Sequence, residues 1–318
     1  MAESCENIFM ISLLDLSSFL NISSQALHKY IKKHKVADPI LVNKRAYVFP
    51  EEARKLLLHR GYRYSSRVIS FQMLKGGCSK TTSALNIGIR SNMYGARVLL
   101  IDLDQQANLS FAFDIENPDL PVWVDLVEDD LCVKDLIVKI TPTLHIVPSN
   151  LNNSTLDKVL LNGKRNIASS ISQYLKVVRE DYDLIIIDTA PNLSAINTAA
   201  ACCSDLVVLP IMPDKFSYSG LQKTLDDLEN IKSEFGCSFK NRILFTRFDG
   251  RETASHELLK LCFSDYGDEM LKSFIRVSSD FKNSIKSGRT IFSKRSSSKE
   301  DYDLVTREIM ELDSSLEA

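Results

Sequence analysis

The chain has 318 residues, 44% of them hydrophobic and 25% charged, with a formal net charge of −2. This length suits one large α/β domain with a small appendage, and the composition argues against a disordered or fibrous chain. No apolar run approaches the roughly 20 residues that span a bilayer, so no membrane partner is expected. The opening MAESCENIF lacks the layout of a signal peptide. Seven cysteines, with Cys202 and Cys203 adjacent and no C-x-x-C pair, point to reduced thiols in the cytoplasm rather than to zinc or a disulfide framework.

The charge is unevenly spread. From His28 to Arg67 there are eleven Lys/Arg against three acidic residues, and from Phe281 to Lys299 six Lys/Arg and no acid. Two basic patches on an otherwise acidic body call for an anionic partner.

Residues 1–66 read as a small separate module. LLDLSSFLNISSQALHKYIKKH predicts two short helices with apolar stripes, Leu13, Leu16, Phe19 and Leu20 in the first and Ala26, Leu27, Tyr30 and Ile31 in the second. Asn21-Ile22-Ser23 supplies a turn, and Ser23 or Ser24 an N-cap. PILVNKRAYVFP then reads as a hairpin with a basic tip, and Pro50 opens a helix that Gly61 closes. Helix, turn, wing and positive charge agree with a helix-turn-helix DNA-binding module. Its candidate contacts are Gln25, Lys29, Lys32 and Lys33 on the second helix and Lys44 and Arg45 at the wing tip.

Residues 67–318 change rhythm to strand, loop, helix. RVISFQM, RVLLID, LHIVP, LIIID, LVVLP and RILFT are β-rich and mostly apolar. Between them TTSALNIGIRSNMYG and IASSISQYLKVVRED read as helices, and SSSKE near residue 297 as a loop. The alternation predicts an α/β fold with a mostly parallel sheet covered by helices on both faces.

The loop after the first of these strands, LKGGCSKTT, departs from G-x-x-x-x-G-K-[ST]: Leu74 and Ser79 stand where glycines are usual, and Lys75 adds a second lysine. Gly76 and Gly77 still let backbone N–H groups turn toward a phosphate, and the helix that follows adds its positive end. Lys80 can reach β- and γ-phosphate oxygens and Thr81 can ligate Mg²⁺. Three strand-end carboxylates follow in chain order, Asp102 and Asp104 in LLIDLDQQ and Asp188 in LIIIDTAP, as Mg²⁺ coordination beside a phosphate loop requires. Cys78, Trp123 and His145 read as packing.

Together KGGCSKTT, DLDQQANLS, DYDLIIIDTAP and LPIMPDKFSYSGL resemble the ParA/MinD class of deviant Walker-A ATPases, most closely ParA-type partition proteins with an N-terminal helix-turn-helix extension. The resemblance spans roughly residues 67 to 312. It implies a P-loop NTPase-like fold, ATP and Mg²⁺ as ligands, and slow ATP hydrolysis. It also implies an ATP-sandwich homodimer in which Lys75 reaches the partner's phosphates. Residues 75–82 (Lys75, Gly76, Gly77, Cys78, Ser79, Lys80, Thr81 and Thr82) would then hold nucleotide, with Thr81, Asp102 and Asp188 around the metal. Asp104 would orient water, and Pro213, Asp214 and Thr246 would lie near the base. Ser79 and Gln105 depart from the family's glycine and proline, which bears on hydrolysis rate. Further implications are nucleoid DNA bound without sequence preference through Lys282, Lys286 and Arg289, and a ParB-like partner that stimulates hydrolysis. The resemblance also allows repression of its own operon. An ATP-switched transcription regulator and an ATPase positioning a non-DNA cargo are the alternatives. A membrane-cycling relative fits poorly, because the C-terminal stretch from residue 300 is acidic.

Overall fold

Strands 67–71, 98–102, 184–188 and 206–211 are apolar on both faces because both faces are covered. In the computed structural model, which describes residues 9–129, 131–162, 166–281 and 290–310, these strands are almost wholly buried. The N-terminal part contains β1 (Ile11–Ser12), helices α1 (Leu13–Phe19) and α2 (Ser24–His34), the hairpin β2 (Ile40–Val42) and β3 (Arg45–Val48), and α3 (Pro50–His59). Ser23 caps α2 by accepting the Ala26 N–H. Asn43 and Lys44 both take positive φ, the conformation that closes a two-residue hairpin with the twist of its strands.

The larger part is a seven-stranded sheet in the order β10-β9-β4-β8-β5-β7-β6. Its strands are β4 (Arg67–Phe71), β5 (Val98–Asp102), β6 (Val138–Lys139), β7 (Leu144–Val147), β8 (Leu184–Asp188), β9 (Leu206–Ile211) and β10 (Lys240–Phe245). All neighbours pair in parallel except β6, an antiparallel edge strand that the sequence pattern does not announce. Alternate residues face opposite layers: Ile69, Leu100 and Ile186 one way, Val68, Leu99 and Ile185 the other. The longer helices of this part are α4 (Lys80–Met93), α5 (Ala195–Cys203), α6 (Lys215–Phe235), α7 (Thr253–Tyr266) and α8 (Ser297–Ile309). Among the described residues no helix is long and apolar enough to cross a membrane.

Two expectations are corrected. Residues 167–181 do not form one helix but short turns at Ile167–Ser169, Ser172–Leu175 and Arg179–Asp181. The Ser169 and Ser170 hydroxyls donate to the Asn166 carbonyl, competing with the helical ladder. SSSKE is no loop: Ser296 accepts the Lys299 N–H and so caps α8.

The N-terminal part is built into the body. Phe19 and Tyr62 join one apolar cluster with Tyr94, Tyr302 and Ile309. Gly95 (φ +86°) allows α3 to dock, since a Cβ there would lie 2.5 Å from the Arg54 nitrogen. Arg54 reaches the carboxylate of Asp183 at 2.5 Å, and Arg97 reaches it from the other side at 3.0 Å. A second joint centres on Arg90 of α4, fully buried between Asp15 of α1 (3.5 Å) and Asp303 of α8 (2.6 Å).

Burial raises the Asp183 pKa, but its bonds to Arg97 and Arg54 outweigh this and hold it below the ordinary value. A depressed carboxylate stabilises the fold above its unfolded pKa and ceases to as pH falls through the folded one. Asp183→Asn is therefore expected to cost about 1–3 kcal/mol at pH 7, with the difference shrinking as pH falls below the ordinary carboxylate pKa and through the depressed folded one. Denaturant unfolding across that acid range measures this; a pH-independent difference would contradict it.

Candidate functional site

β4, β8 and β5 are adjacent, so their C-terminal ends bring together the loop 72–79 and three carboxylates from distant parts of the chain. Asp102 and Asp188 face each other directly in register across β5 and β8. The loop turns through Gly77 at φ +78° and Ser79 at φ +70° before α4 begins at Lys80. A left-handed residue with a Cβ is strained by roughly 1–2 kcal/mol, which is the physical reason a glycine suits position 79.

A cleft of about 440 Å³ opens over this loop, a volume within the range of small-ligand sites. Gly76, Gly77, Ser79, Lys80, Thr81, Thr82 and Asp104 line it. Lys80 is buried, donates to the Met73 carbonyl at 3.2 Å, and has its pKa lowered by burial. Asp188 is fully buried, and among the described residues neither of its oxygens makes a hydrogen bond of ordinary geometry, although the Thr81 hydroxyl is near enough to act on it. Burial first and then the Asp102 charge push its pKa well above the carboxylate range, against the opposing pull of Thr81 and Lys80. Such a carboxylate is costly unless a cation or hydrogen-bond donor completes it.

The other predicted residues fall in different places. Asp102 spends its oxygens on the Ser110 N–H and hydroxyl (2.9 and 2.8 Å) and the Asp104 N–H, so it braces the loop from below rather than lining the cleft. Asp104 accepts the Gln106 N–H and turns its remaining capacity toward the cleft. Among the described residues no cluster of three or more His, Cys, Asp or Glu could by itself hold a metal ion. The donors that fit magnesium are therefore one hydroxyl and one carboxylate, with a bound phosphate and water supplying the rest.

Cys78 is buried, contacts the Ser217 hydroxyl at 3.3 Å and has its pKa raised by burial, so it is packing rather than a reactive thiol. Trp123 and His145 likewise serve packing, the latter against Tyr182. Thr246 is buried beneath the loop, donating to the Ile211 carbonyl at 3.1 Å, and Arg247 beside it lines the cleft instead. Lys75 bonds Asp214, the N-cap of α6, at 2.5 Å and does not line the cleft. Pro213 does not line the cleft. Sequence reasoning missed Pro191, which lies close to Gly76 of the loop, and Arg276, Val277 and Phe281, which also line the cleft. Pro191 could have been read from its place after Asp188; the others lie in no motif.

Gln25, Lys29, Lys32 and Lys33 are exposed on α2, opposite the buried Leu27 and Ile31, and Lys44 and Arg45 are exposed at the hairpin tip. None of these lines the phosphate-loop cleft. Lys282, Lys286 and Arg289 lie outside the described residues.

The AAA domain family matches residues 66–242, more than half of the chain. The chain belongs to that family, and within it to the ParA/MinD class of deviant Walker-A ATPases. The chromosome-partitioning ATPase Soj of Treponema pallidum is 26% identical over 212 residues, covering 66% of this chain and 82% of Soj. A McdA–ATP complex from Cyanothece superposes with a TM-score of 0.72 at 20% identity, covering 79% of this chain and 98% of McdA. A putative plasmid partition protein from Borrelia burgdorferi, bound to AMPPNP, gives 0.64 at 19% identity, covering 78% and 99%. The structures share the P-loop NTPase-like fold, a mostly parallel sheet between helices.

Ser79→Gly is expected to raise the unfolding free energy by about 1 kcal/mol, since glycine adopts the left-handed turn without strain. A fall in denaturant midpoint would show that the Ser79 backbone carries no such strain.

Proposed function

We propose that this chain is an ATPase of the DNA-partition type that binds magnesium-ATP at the 75–82 loop and works as a nucleotide-dependent homodimer. The observation that carries the reading is the buried carboxylate of Asp188, without a hydrogen bond of ordinary geometry, beside Lys80 and Thr81 under a cleft of small-ligand size. The chromosome-partitioning name of Soj supports it. Lys80 and the N–H groups at the start of α4 hold the β- and γ-phosphates; Thr81 and Asp188 hold the magnesium shell, Asp102 bracing Asp104 at the loop. Magnesium, when bound, neutralises charge on the phosphate oxygens. Asp104 accepts a hydrogen bond from the attacking water, and Lys75 and Lys80 offset charge that builds on the transferred group.

Lys75 reaches the partner's phosphate only after leaving Asp214. Asp214 therefore acts as a parking site in the single protomer. Exposed Phe216, over which the Lys75 ammonium sits 5.9 Å from the ring centroid, gives that face apolar surface for a second copy. The basic faces of α2 and the hairpin tip support duplex DNA as a second ligand, whether an operator or the bulk nucleoid, and a ParB-like protein as the activator. Repression of its own operon rests on the same α2 face.

Lys80→Ala is expected to lose ATP affinity by at least about 100-fold, since the buried ammonium is a charge-assisted partner of the phosphates; wild-type affinity in a nucleotide titration would remove Lys80 from the site. Asp104→Ala is expected to keep ATP, accumulate dimer in light scattering and lower turnover by about 100-fold or more. Monomeric protein with normal turnover would overturn its role.

A further inference from the structure

A second cleft, of about 540 Å³ and so larger than the one over the phosphate loop, lies between the hairpin, α1 and the segment leading into α8. Its floor is largely paired. Arg90, Lys299 and Arg307 share the carboxylates of Asp15 and Asp303 at 2.6 to 3.5 Å, and the exposed Glu300 also lines the cleft. Its walls are not. Lys44 and Arg45 of the hairpin line one side and Lys294 and Arg295 the other; all four are exposed, and none has an ion pair among the described residues.

Resting on the proposed DNA binding, we propose that a single duplex lies across this cleft, its phosphate backbone gripped at once by Lys44/Arg45 of the N-terminal part and Lys294/Arg295 of the ATPase body. Three features favour an extended polyanion over a small anion. Arg90, the fully buried cation among the described residues of this cleft, already spends itself on Asp15 and Asp303 rather than waiting on a compact ligand. The free cations sit on opposite walls, contributed by segments 250 residues apart in the chain. Ser24 and His28 of α2 line the same cleft, which makes it continuous with the exposed Gln25, Lys29 and Lys32 face. The joint at Arg90 and the joint at Asp183 hold the two walls as one body, so both engage one ligand without a linker to order.

The test uses the full chain and a random-sequence duplex of 24 base pairs, with binding followed against salt concentration. Each double variant, Lys44→Ala/Arg45→Ala and Lys294→Ala/Arg295→Ala, is expected to lower the slope of log affinity against log salt by roughly 2, and the quadruple variant by roughly 4. All substitutions are at exposed positions, and unchanged melting temperatures confirm folding. If wild type binds no duplex, the underlying DNA reading fails. If wild type binds and the hairpin variant loses slope while Lys294→Ala/Arg295→Ala does not, DNA binding stands and the shared cleft is overturned. Saturable binding of inorganic phosphate that both double variants abolish, with duplex binding intact, would assign the cleft to a small anion and overturn it as well.

Discussion

A buried carboxylate without a full hydrogen-bond partner, set beside a buried lysine at the end of a parallel sheet, is the constraint on which the rest of this structure depends. Asp188 closes β8 where β4 and β5 end on either side, so the sheet itself delivers it beneath the phosphate loop. Among the described residues no hydrogen bond of ordinary geometry reaches its oxygens, Thr81 and Lys80 pull on it only in part, and burial drives it toward the neutral form. A protein retains such a group when a ligand completes it. Lys80, buried and donating to the Met73 carbonyl, is the complementary half of the same arrangement.

The remaining parts are organised by what that centre needs. Asp102 is taken up by Ser110 and by the Asp104 N–H, which fixes the Asp104 backbone and leaves its carboxylate to face the cleft. Lys75 is withheld on Asp214 at the start of α6. A cation half-exposed on a carboxylate is weakly held, because surface ion pairs contribute about 0–1 kcal/mol. In the proposed dimer, release of Lys75 is therefore inexpensive compared with the gain from a partner's phosphate. The second organising feature is Arg90. It lies on α4, the helix that the phosphate loop starts, and its partners come from α1 and α8. The N-terminal helices, the phosphate-loop helix and the last described helix thus meet at one buried guanidinium.

Much of this was legible in the sequence because the relevant signals are local. The apolar strands ending in Asp102 and Asp188, the Gly76-Gly77 turn and the Ser23 cap each depend on neighbours a few residues away. What was not legible depends on distance. Ser169 and Ser170 look helical until their hydroxyls are seen bonding the Asn166 carbonyl. The SSSKE run looks like a loop until Ser296 is seen capping α8. The part of the cleft lining from Arg276 to Phe281 comes from a segment with no motif, positioned by the Arg276–Asp301 pair at 2.6 Å. The sequence pattern suggests a small N-terminal module but not how it meets the larger part. The docking of α3 on Gly95 and of Arg54 on Asp183 is a contact between residues whose pairing no periodicity encodes.

The most direct measurement of the central claim is thermal unfolding of wild type and Asp188→Asn with ATP, in the presence and absence of magnesium. At about 100 times the dissociation constant, a ligand that binds only the native state stabilises it by about 2.7 kcal/mol. The account predicts a larger stabilisation of wild type when magnesium accompanies ATP, and in Asp188→Asn the same stabilisation with or without the metal. A magnesium increment of equal size in both proteins would contradict it.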